Sequence, residues 1–445
     1  MNLFELGKET KHQNTVRVLV LPNVTYAKDI EADSFVQCLK KQITLLNEIR
    51  NDLWFYLILP VPVPSLQYAN STQWYIPLPT FPQTMRHQMD VPKIQKLLSR
   101  NFDFDLIMSH LPDHTVGYKS ICYNVTHHTP PIFGYAHWWD FKSQSGDNFL
   151  PQIIGALQYD RCYINTQAQK NLVLNQARET FNDNTISKLD DILTVQHLGV
   201  DAKDIIDNIN ETPEKIIVFN HRPDTYKHFK QFMAVCDKLW EMRQDFKVWI
   251  PLLDKPNRDY VVTTKFNKNG YYKELQKCYM GFAPKQTYGG WSVAATDGMM
   301  NGCPFVFYDD TYYHELMQTA DFFKDDHEAL MLMNTYLDDP QFRNEQAERA
   351  LDWMREKLIY KDKMIEMSEY MDKLLDKAHK ISYNSEKLQE ILQWIKNSGS
   401  VSKLELIDKL GWGRGIKWTP YRRALMNHPN IYDVKGSNPT YCWKD

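Results

Sequence analysis

No two of the chain's seven cysteines lie closer than 25 residues; they stand at 38, 122, 162, 236, 278, 303 and 442. That spacing excludes a CxxC pair and a zinc site built on one, and the odd count speaks against a disulfide framework. Long apolar runs are missing too. The longest, "LWFYLILPVPVP", is about half a bilayer span and is broken by prolines, so no membrane segment is expected. The opening "MNLFELGKETKHQN" lacks the apolar core of a signal peptide. Large net charge is absent as well: the formal total is −3, so any positive charge offered to a nucleic acid has to be local. What is present is ordinary for a globular protein, 43% hydrophobic and 24% charged over 445 residues. That is enough for sizeable cores in two or three domains of roughly 100–200 residues each. A cytoplasmic monomer is the expectation.

Short runs rich in Val, Leu and aromatics recur along the first half: "TVRVLVLPNV", "DLWFYLILP", "FDLIMSHLP", "PPIFGYAHWWD" and "DRCYINT". Each reads as a buried strand or strand end, and helical stretches separate several of them. Strands alternating with helices imply a doubly wound parallel sheet. The alternation restarts at "KIIVFNHRPDTYKHFKQFMAVCDKLW", followed by "FKVWIPLL" and "GCPFVFYDD". The expected domains are therefore 1–205 and 206–383, both Rossmann-like α/β, with a long helical pattern from Asn344 to Ile381. Within it Leu351, Met354, Leu358, Met364, Met367, Met371 and Leu374 fall at spacings that suit core packing. The stretch Pro60 to Pro92 holds seven of the 22 prolines and reads as a loop, a candidate for the acceptor side.

Residues 384–445 differ. "SEKLQEILQWIKNSG", "KLELIDKLG" and "TPYRRALMNH" read as three helices, the last with Thr419 as N-cap and Pro420 at its first position. "IYDVKGSNPTYCW" then reads as a hairpin. Helix, helix, helix, hairpin is the order of a small winged-helix domain. The segment has ten Lys and Arg against six Asp and Glu, a net of +4, which leaves −7 for the rest. Arg414, Tyr421, Arg422, Arg423 and Lys435 are its candidate DNA contacts.

Two stretches suit a phosphate. In "FNHRPDTYKHF", Arg222 and Lys227 stand in a loop after a strand, where ligands of parallel sheets collect. Arg gives a planar fork and Lys a point charge. In "TYGGWSVAATDGMMNGCPFVFYDD", Gly289 and Gly290 permit close backbone approach, Ser292 can cap the following helix, and Asp297 lies further along it. "FDFD" (102–105) precedes a strand in the wrong domain for a metal motif, and His127-His128 has no third ligand; no metal is expected.

Taken in order, these motifs resemble the donor domain of retaining GT-B glycosyltransferases. The resemblance implies that Arg222 and Lys227 hold the diphosphate of a nucleotide sugar, a UDP-linked one in expectation, with no further cofactor. It places Gly290, Trp291, Ser292 and Val293 at the glycine turn and Asp297 on the ribose. "HLGVD" (197–201) matches the family's junction between domains, and the late helical pattern its terminal crossing helix. The family's first acidic residue of the paired motif falls at Gly289 and is absent. "YAHWWDF", with the Arg-x4-Lys loop, is similar to phage DNA α-glucosyltransferases and makes His137 and Asp140 candidates for acting on the acceptor hydroxyl. The implied function is transfer of a sugar to a hydroxymethylated base, such as 5-hydroxymethylcytosine, in double-stranded phage DNA within an infected bacterium, shielding it from nucleases. Two alternatives stay open: a protein, lipid or glycan acceptor with the terminal domain binding protein, and a non-catalytic DNA-binding regulator.

Overall fold

The computed structural model describes residues 5–6, 15–21, 34–59, 63–66, 70–75, 90–101, 104–126, 129–141, 149–256, 258–286, 290–382, 385–409, 421, 425, 428, 430–434 and 440–444. By contacts the chain divides into two compact units. The first comprises Met1–Tyr163, Gln176–Thr194 and Met364–Asp445; the second comprises Ile164–Asn175 and Val195–Lys363.

The first sheet contains β1 (Glu5–Leu6), β2 (Val16–Leu21), β3 (Leu53–Leu59), β4 (Ser71–Tyr75), β5 (Leu106–Ser109), β6 (Ile132–Ala136), β7 (Arg161–Ile164) and β8 (Leu193–Val195). Their spatial order is β1-β4-β3-β2-β5-β6-β7-β8. β2 pairs in parallel with β3 and β5, and Val18 lies opposite both Phe55 and Leu106. All six residues of β2 are buried, which is why five of them are apolar with no polar alternation, Arg17 being the one exception.

β4 corrects the reading of the Pro-rich stretch as a loop: "STQWY" is a strand parallel to β3, with β1 antiparallel on its other side. Its polar residues hid it. Ser71, Thr72 and Gln73 are all buried, and specific bonds satisfy them. Trp54 Nε1 donates to Thr72 Oγ1 at 3.1 Å, and Gln73 exchanges two bonds with the backbone of Val63.

The second sheet contains β9 (Glu214–Val218), β10 (Lys247–Trp249), β11 (Val261–Val262), β12 (Cys278–Ala283), β13 (Phe305–Tyr308) and β14 (Asp321–Phe323). Its order is β11-β10-β9-β12-β13-β14, parallel throughout. β9 sits centrally, so the loop after it opens at the middle of the sheet's carboxyl edge. At Gly302 the chain turns into β13 with φ 73°, a left-handed value that favours glycine.

The late helical pattern proves to be two helices, Pro340–Lys357 and Tyr360–Ser382. They separate where the "HLGVD" segment touches them. Val200 N donates to Leu358 O at 2.8 Å, and Tyr360 N donates to Val200 O at 2.9 Å. A Cβ on Gly199 would meet the Tyr360 Cα at 2.6 Å, so only glycine fits there. Every residue of the Leu/Met stripe is buried, as its spacing implies. Beyond Met364 the second helix belongs to the first unit: Arg161 lies over the Tyr370 ring at 3.6 Å and Arg50 bonds Asp372 at 2.7 Å.

The terminal segment has helices Ser385–Ser398 and Lys403–Lys409 and strands β15 (Ser400–Ser402), β16 (Ile431–Val434) and β17 (Thr440–Trp443). They form an antiparallel sheet in the order β15-β17-β16. Ile391, Ile395, Leu406, Tyr421, Leu425, Ile431 and Tyr441 make its separate core. All seven cysteines are free thiols. Among the described residues no helix is long and apolar enough to cross a membrane.

Candidate active site

β9 is buried as it ends, and the chain leaves it at Phe219 into the Arg222–Lys227 loop. A single 3-10 turn, Thr225–Lys227, closes that loop. His228 follows with φ 49°, the one non-glycine residue at positive φ among those described, and the helix Phe229–Met242 starts from it. Such a conformation costs on the order of 1–3 kcal/mol and persists where surroundings enforce it. Arg222 is exposed and Lys227 half-buried. Lys227 Nζ donates to Gln286 Oε1 at 2.6 Å.

Gln286 was not legible as a functional residue, yet its orientation is fixed. Tyr313 Oη donates to Pro284 O at 2.9 Å and therefore accepts from Gln286 Nε2 at 2.9 Å. Oε1 is thereby turned to Lys227. Burial, and then the like charge of Arg222, push the Lys227 ammonium down to about 8, against a smaller opposing effect of Asp224. Among the described residues neither Arg222 nor Lys227 forms an ion pair with a carboxylate. A bound diphosphate reverses the penalty on the charged form, so binding raises this pKa. UDP binding should take up protons from about pH 8 upward and weaken as pH rises through that value. Calorimetry with UDP in buffers of different ionisation enthalpy reads the uptake; none between about pH 8 and 9 removes Lys227 from the anion site.

The glycine turn leads into the helix Val293–Met300. Ser292 caps it, its Oγ accepting from Ala295 N at 3.3 Å, as the sequence implies. Thr287 to Gly289 lie outside the described residues. At Gly290 an added Cβ would meet only Gln169 Nε2, 3.9 Å away, among the described residues. That is ordinary contact, so internal packing there does not demand glycine; a close ligand would. Trp291 stacks on His197 at 5.2 Å between ring centroids. His197 Nε2 meets Glu315 Oε2 at 3.2 Å, and Glu315 also accepts from the amides of Gln167 (2.6 Å) and Ala168 (2.8 Å). Burial opposes the ionised Glu315, and the bonds from His197 and both amides outweigh it, holding the carboxyl below its ordinary value. Val293 is exposed, on the first turn of the helix.

Asp297 is one turn further and already engaged. Lys268 Nζ donates to its Oδ2 at 3.0 Å and Tyr272 Oη to its Oδ1 at 3.4 Å. A ribose bound there shares the carboxylate with Lys268 or displaces it. Asn220, next to the β9 loop, donates to Tyr271 Oη and Ala294 O, both at 2.8 Å, tying the loop to the start of the Ser292-capped helix.

In the first unit His137 follows β6. β6 lies so close to β5 that a Cβ on Gly134 (φ 153°) would reach the Ser109 carbonyl oxygen at 1.8 Å. This brings the two strand ends together, with His110 at the end of β5. His137 Nε2 and His110 Nδ1 are 3.1 Å apart. Burial pushes His137 down to about 4; burial, then His137 itself, hold His110 well below its ordinary value. Both rings are therefore neutral at neutral pH. His137 also stacks on Tyr135, with 5.2 Å between ring centroids. Asp140, half-exposed, donates its backbone N–H to Gln152 Oε1 at 2.8 Å. Trp138 is exposed and Trp139 buried against Phe149.

No protein-family model matches the chain, and no curated protein matches it by sequence. Solved structures do. The chain is similar to sucrose-phosphate synthase from Thermosynechococcus elongatus, with 11% identity and TM-score 0.64, over 81% of this chain and 99% of that one. It is similar to HepE of Anabaena in complex with UDP and glucose, with 12% identity, TM-score 0.59 and the same two coverages. It is similar to trehalose-6-phosphate synthase, with 12% identity and TM-score 0.58, again over 81% and 99%. At these identities the likeness speaks for the fold. The fold is GT-B.

The terminal segment of this GT-B chain changes one assignment. Tyr421, a candidate DNA contact, is 4% exposed and packs in the segment's core with Ile391, Leu406 and Leu425. Its ring is part of that core and is not presented to a groove. Arg414, Arg422, Arg423 and Lys435 lie outside the described residues.

Proposed function

We propose that this chain is a glycosyltransferase that takes a sugar from a UDP-linked donor and transfers it to a hydroxymethylated base, such as 5-hydroxymethylcytosine, in double-stranded phage DNA. The observation that carries the transferase reading is the Arg222–Lys227 pair. Two cations share one loop at the carboxyl edge of a parallel sheet, one of them partly desolvated and bonded to Gln286, and among the described residues neither forms an ion pair with a carboxylate. An anion with two phosphates supplies what that arrangement lacks. In the resemblance, Ser292 and the amides after it, Gly290, Trp291 and Val293 line the sugar-phosphate, and Asp297 accepts from the ribose. His137, neutral at physiological pH, is suited to take a proton from the acceptor hydroxyl, with Asp140 beside it in sequence. A base reached this way has to leave the duplex stack.

The DNA part rests on the terminal segment. Its order of helix, strand, helix and two closing strands, with β17 between β15 and β16, supports a winged-helix reading, and its net charge is +4. With Arg414, Arg422, Arg423 and Lys435 on phosphates, log affinity for duplex DNA falls with log salt by about 0.9 per contact. The double variant Arg422→Ala/Arg423→Ala should flatten that slope by about 2. An unchanged slope in a filter-binding series sinks the proposed DNA surface. The reaction is tested by incubating hydroxymethylcytosine-containing duplex with UDP-sugars and weighing the released nucleosides. Consumption of donor with no heavier nucleoside sinks the DNA acceptor. A protein or glycan acceptor is the second reading. Tyr432 and Val434, both exposed on β16, favour it, because apolar side chains suit a protein face better than a phosphate backbone.

A further inference from the structure

The helix Gln167–Ala177 starts beside the glycine turn. Ala168 and Trp291 pack against one core, and Gln169 Nε2 is 3.9 Å from where a Cβ on Gly290 would stand. The first amides of this helix are all paired. Gln167 N and Ala168 N donate to Glu315, Gln169 N donates to Thr166 Oγ1 at 3.0 Å, and Lys170 N donates to Thr166 O at 3.0 Å. An anion therefore finds no free donor at this helix start.

The Gln169 side chain is in a different state. The residue is 2% exposed, and its Oε1 is buried with no hydrogen-bond partner. A buried carbonyl without a donor is a standing penalty that native proteins rarely keep without a use. None of the capping bonds involves this carboxamide. Gly290 sends no side chain toward it, and among the described residues Gln169 alone comes within 4 Å of that open position.

We propose that Gln169 binds two neighbouring hydroxyls of the transferred sugar at the open side of Gly290. A carboxamide donates at one end and accepts at the other. A vicinal pair of hydroxyls does both, so it satisfies Nε2 and Oε1 together. A phosphate only accepts; it uses Nε2 and leaves Oε1 facing a negative charge. An apolar group satisfies neither end. The inference rests on the reading of the chain as a UDP-sugar transferase, and it adds to that reading a residue that tells the charged donor from bare UDP. The ribose also carries vicinal hydroxyls, but in that reading its partner is Asp297.

The test titrates the full chain by calorimetry with UDP, UDP-glucose, UDP-galactose and UDP-N-acetylglucosamine. Gln169→Met keeps the length of the side chain and loses both polar ends. It should weaken the tightest-bound of the three UDP-sugars about tenfold and leave UDP unchanged. Gln169→Ala should do the same. Without ligand, Gln169→Met should unfold at the parent's temperature or above it, because an unpaired carbonyl has been removed. A fall of more than about 3 °C means that the carboxamide holds the fold together, and overturns the inference whatever binds. Undiminished UDP-sugar affinity in both variants overturns it as well. So does an equal loss for UDP, which puts Gln169 on the nucleotide. A parent that binds neither UDP nor any of the UDP-sugars sinks the transferase reading itself, and this inference with it.

Discussion

Arg222→Ala should lower turnover at saturating donor by about 10²–10³. The leaving diphosphate gains charge as the sugar bond breaks, and a preorganised cation aimed at it matters most then. Arg222 is exposed and holds no structural partner among the described residues, so its removal should leave the fold intact. That separates it from Lys227, whose ammonium is tied to Gln286 and through it to Tyr313 and Pro284. Arg222→Lys keeps the charge and loses the fork, and should recover part of the rate. Steady-state kinetics with UDP-glucose as the donor probe decides: turnover within a few-fold of the parent, with unfolding temperature unchanged, refutes the diphosphate assignment.

Arg343→Ala should cost the second unit about 4 kcal/mol or more. Arg343 is 1% exposed, the largest of the fully buried side chains described, and among the described residues it pairs with no carboxylate. Its guanidinium donates to four backbone carbonyls: Tyr279 (2.8 Å), Asn210 (2.9 Å), Gly302 (3.0 Å) and Cys278 (3.2 Å). It thus pins the start of β12, the approach to β9 and the turn at Gly302 to the helix Pro340–Lys357. The bond to Asn210 is only part-buried, but each buried carbonyl left without a donor costs about 1–3 kcal/mol, and three are left at once. Arg343→Lys has three donors on one point and should recover a minority of the loss. At about 2–4 °C per kcal/mol for a unit of this size, the alanine variant should melt about 8–16 °C lower. A shift below about 2 °C, or a loss from Lys equal to that from Ala, contradicts this account.

The apolar runs made the parallel sheets legible, because a strand covered on both faces shows its burial in composition alone. β2 and β3 are clear for that reason. β4 is not: its residues 71–74 are as buried, but side-chain bonds and not apolarity hold most of them there. The boundary between the last two long helices also escaped the pattern, since the residues that break it, Val200 and Gly199, are about 160 positions upstream. The Arg222–Lys227 loop could be singled out because its cations sit within one short stretch after a strand. Gln286, His110 and Glu315 could not, because each acquires meaning from a partner 27 to 148 positions away. Tyr421 shows the converse error. An aromatic on the first turn of a basic helix reads as a contact, but the small segment has few apolar residues and spends this one on its core.

The helix after Met364 completes the unit that the first 163 residues began. During synthesis this has a temporal meaning. The 200 residues between Tyr163 and Met364 emerge from the ribosome while the place for that helix, beside Arg50 and Arg161, stands open. At about 5–20 residues per second the wait lasts about 10–40 s. The second unit, Ile164–Asn175 with Val195–Lys363, is fully synthesised before the first is finished. The nascent chain therefore matures from its middle outward, and the exposed first sheet is the stage at which a chaperone would find it.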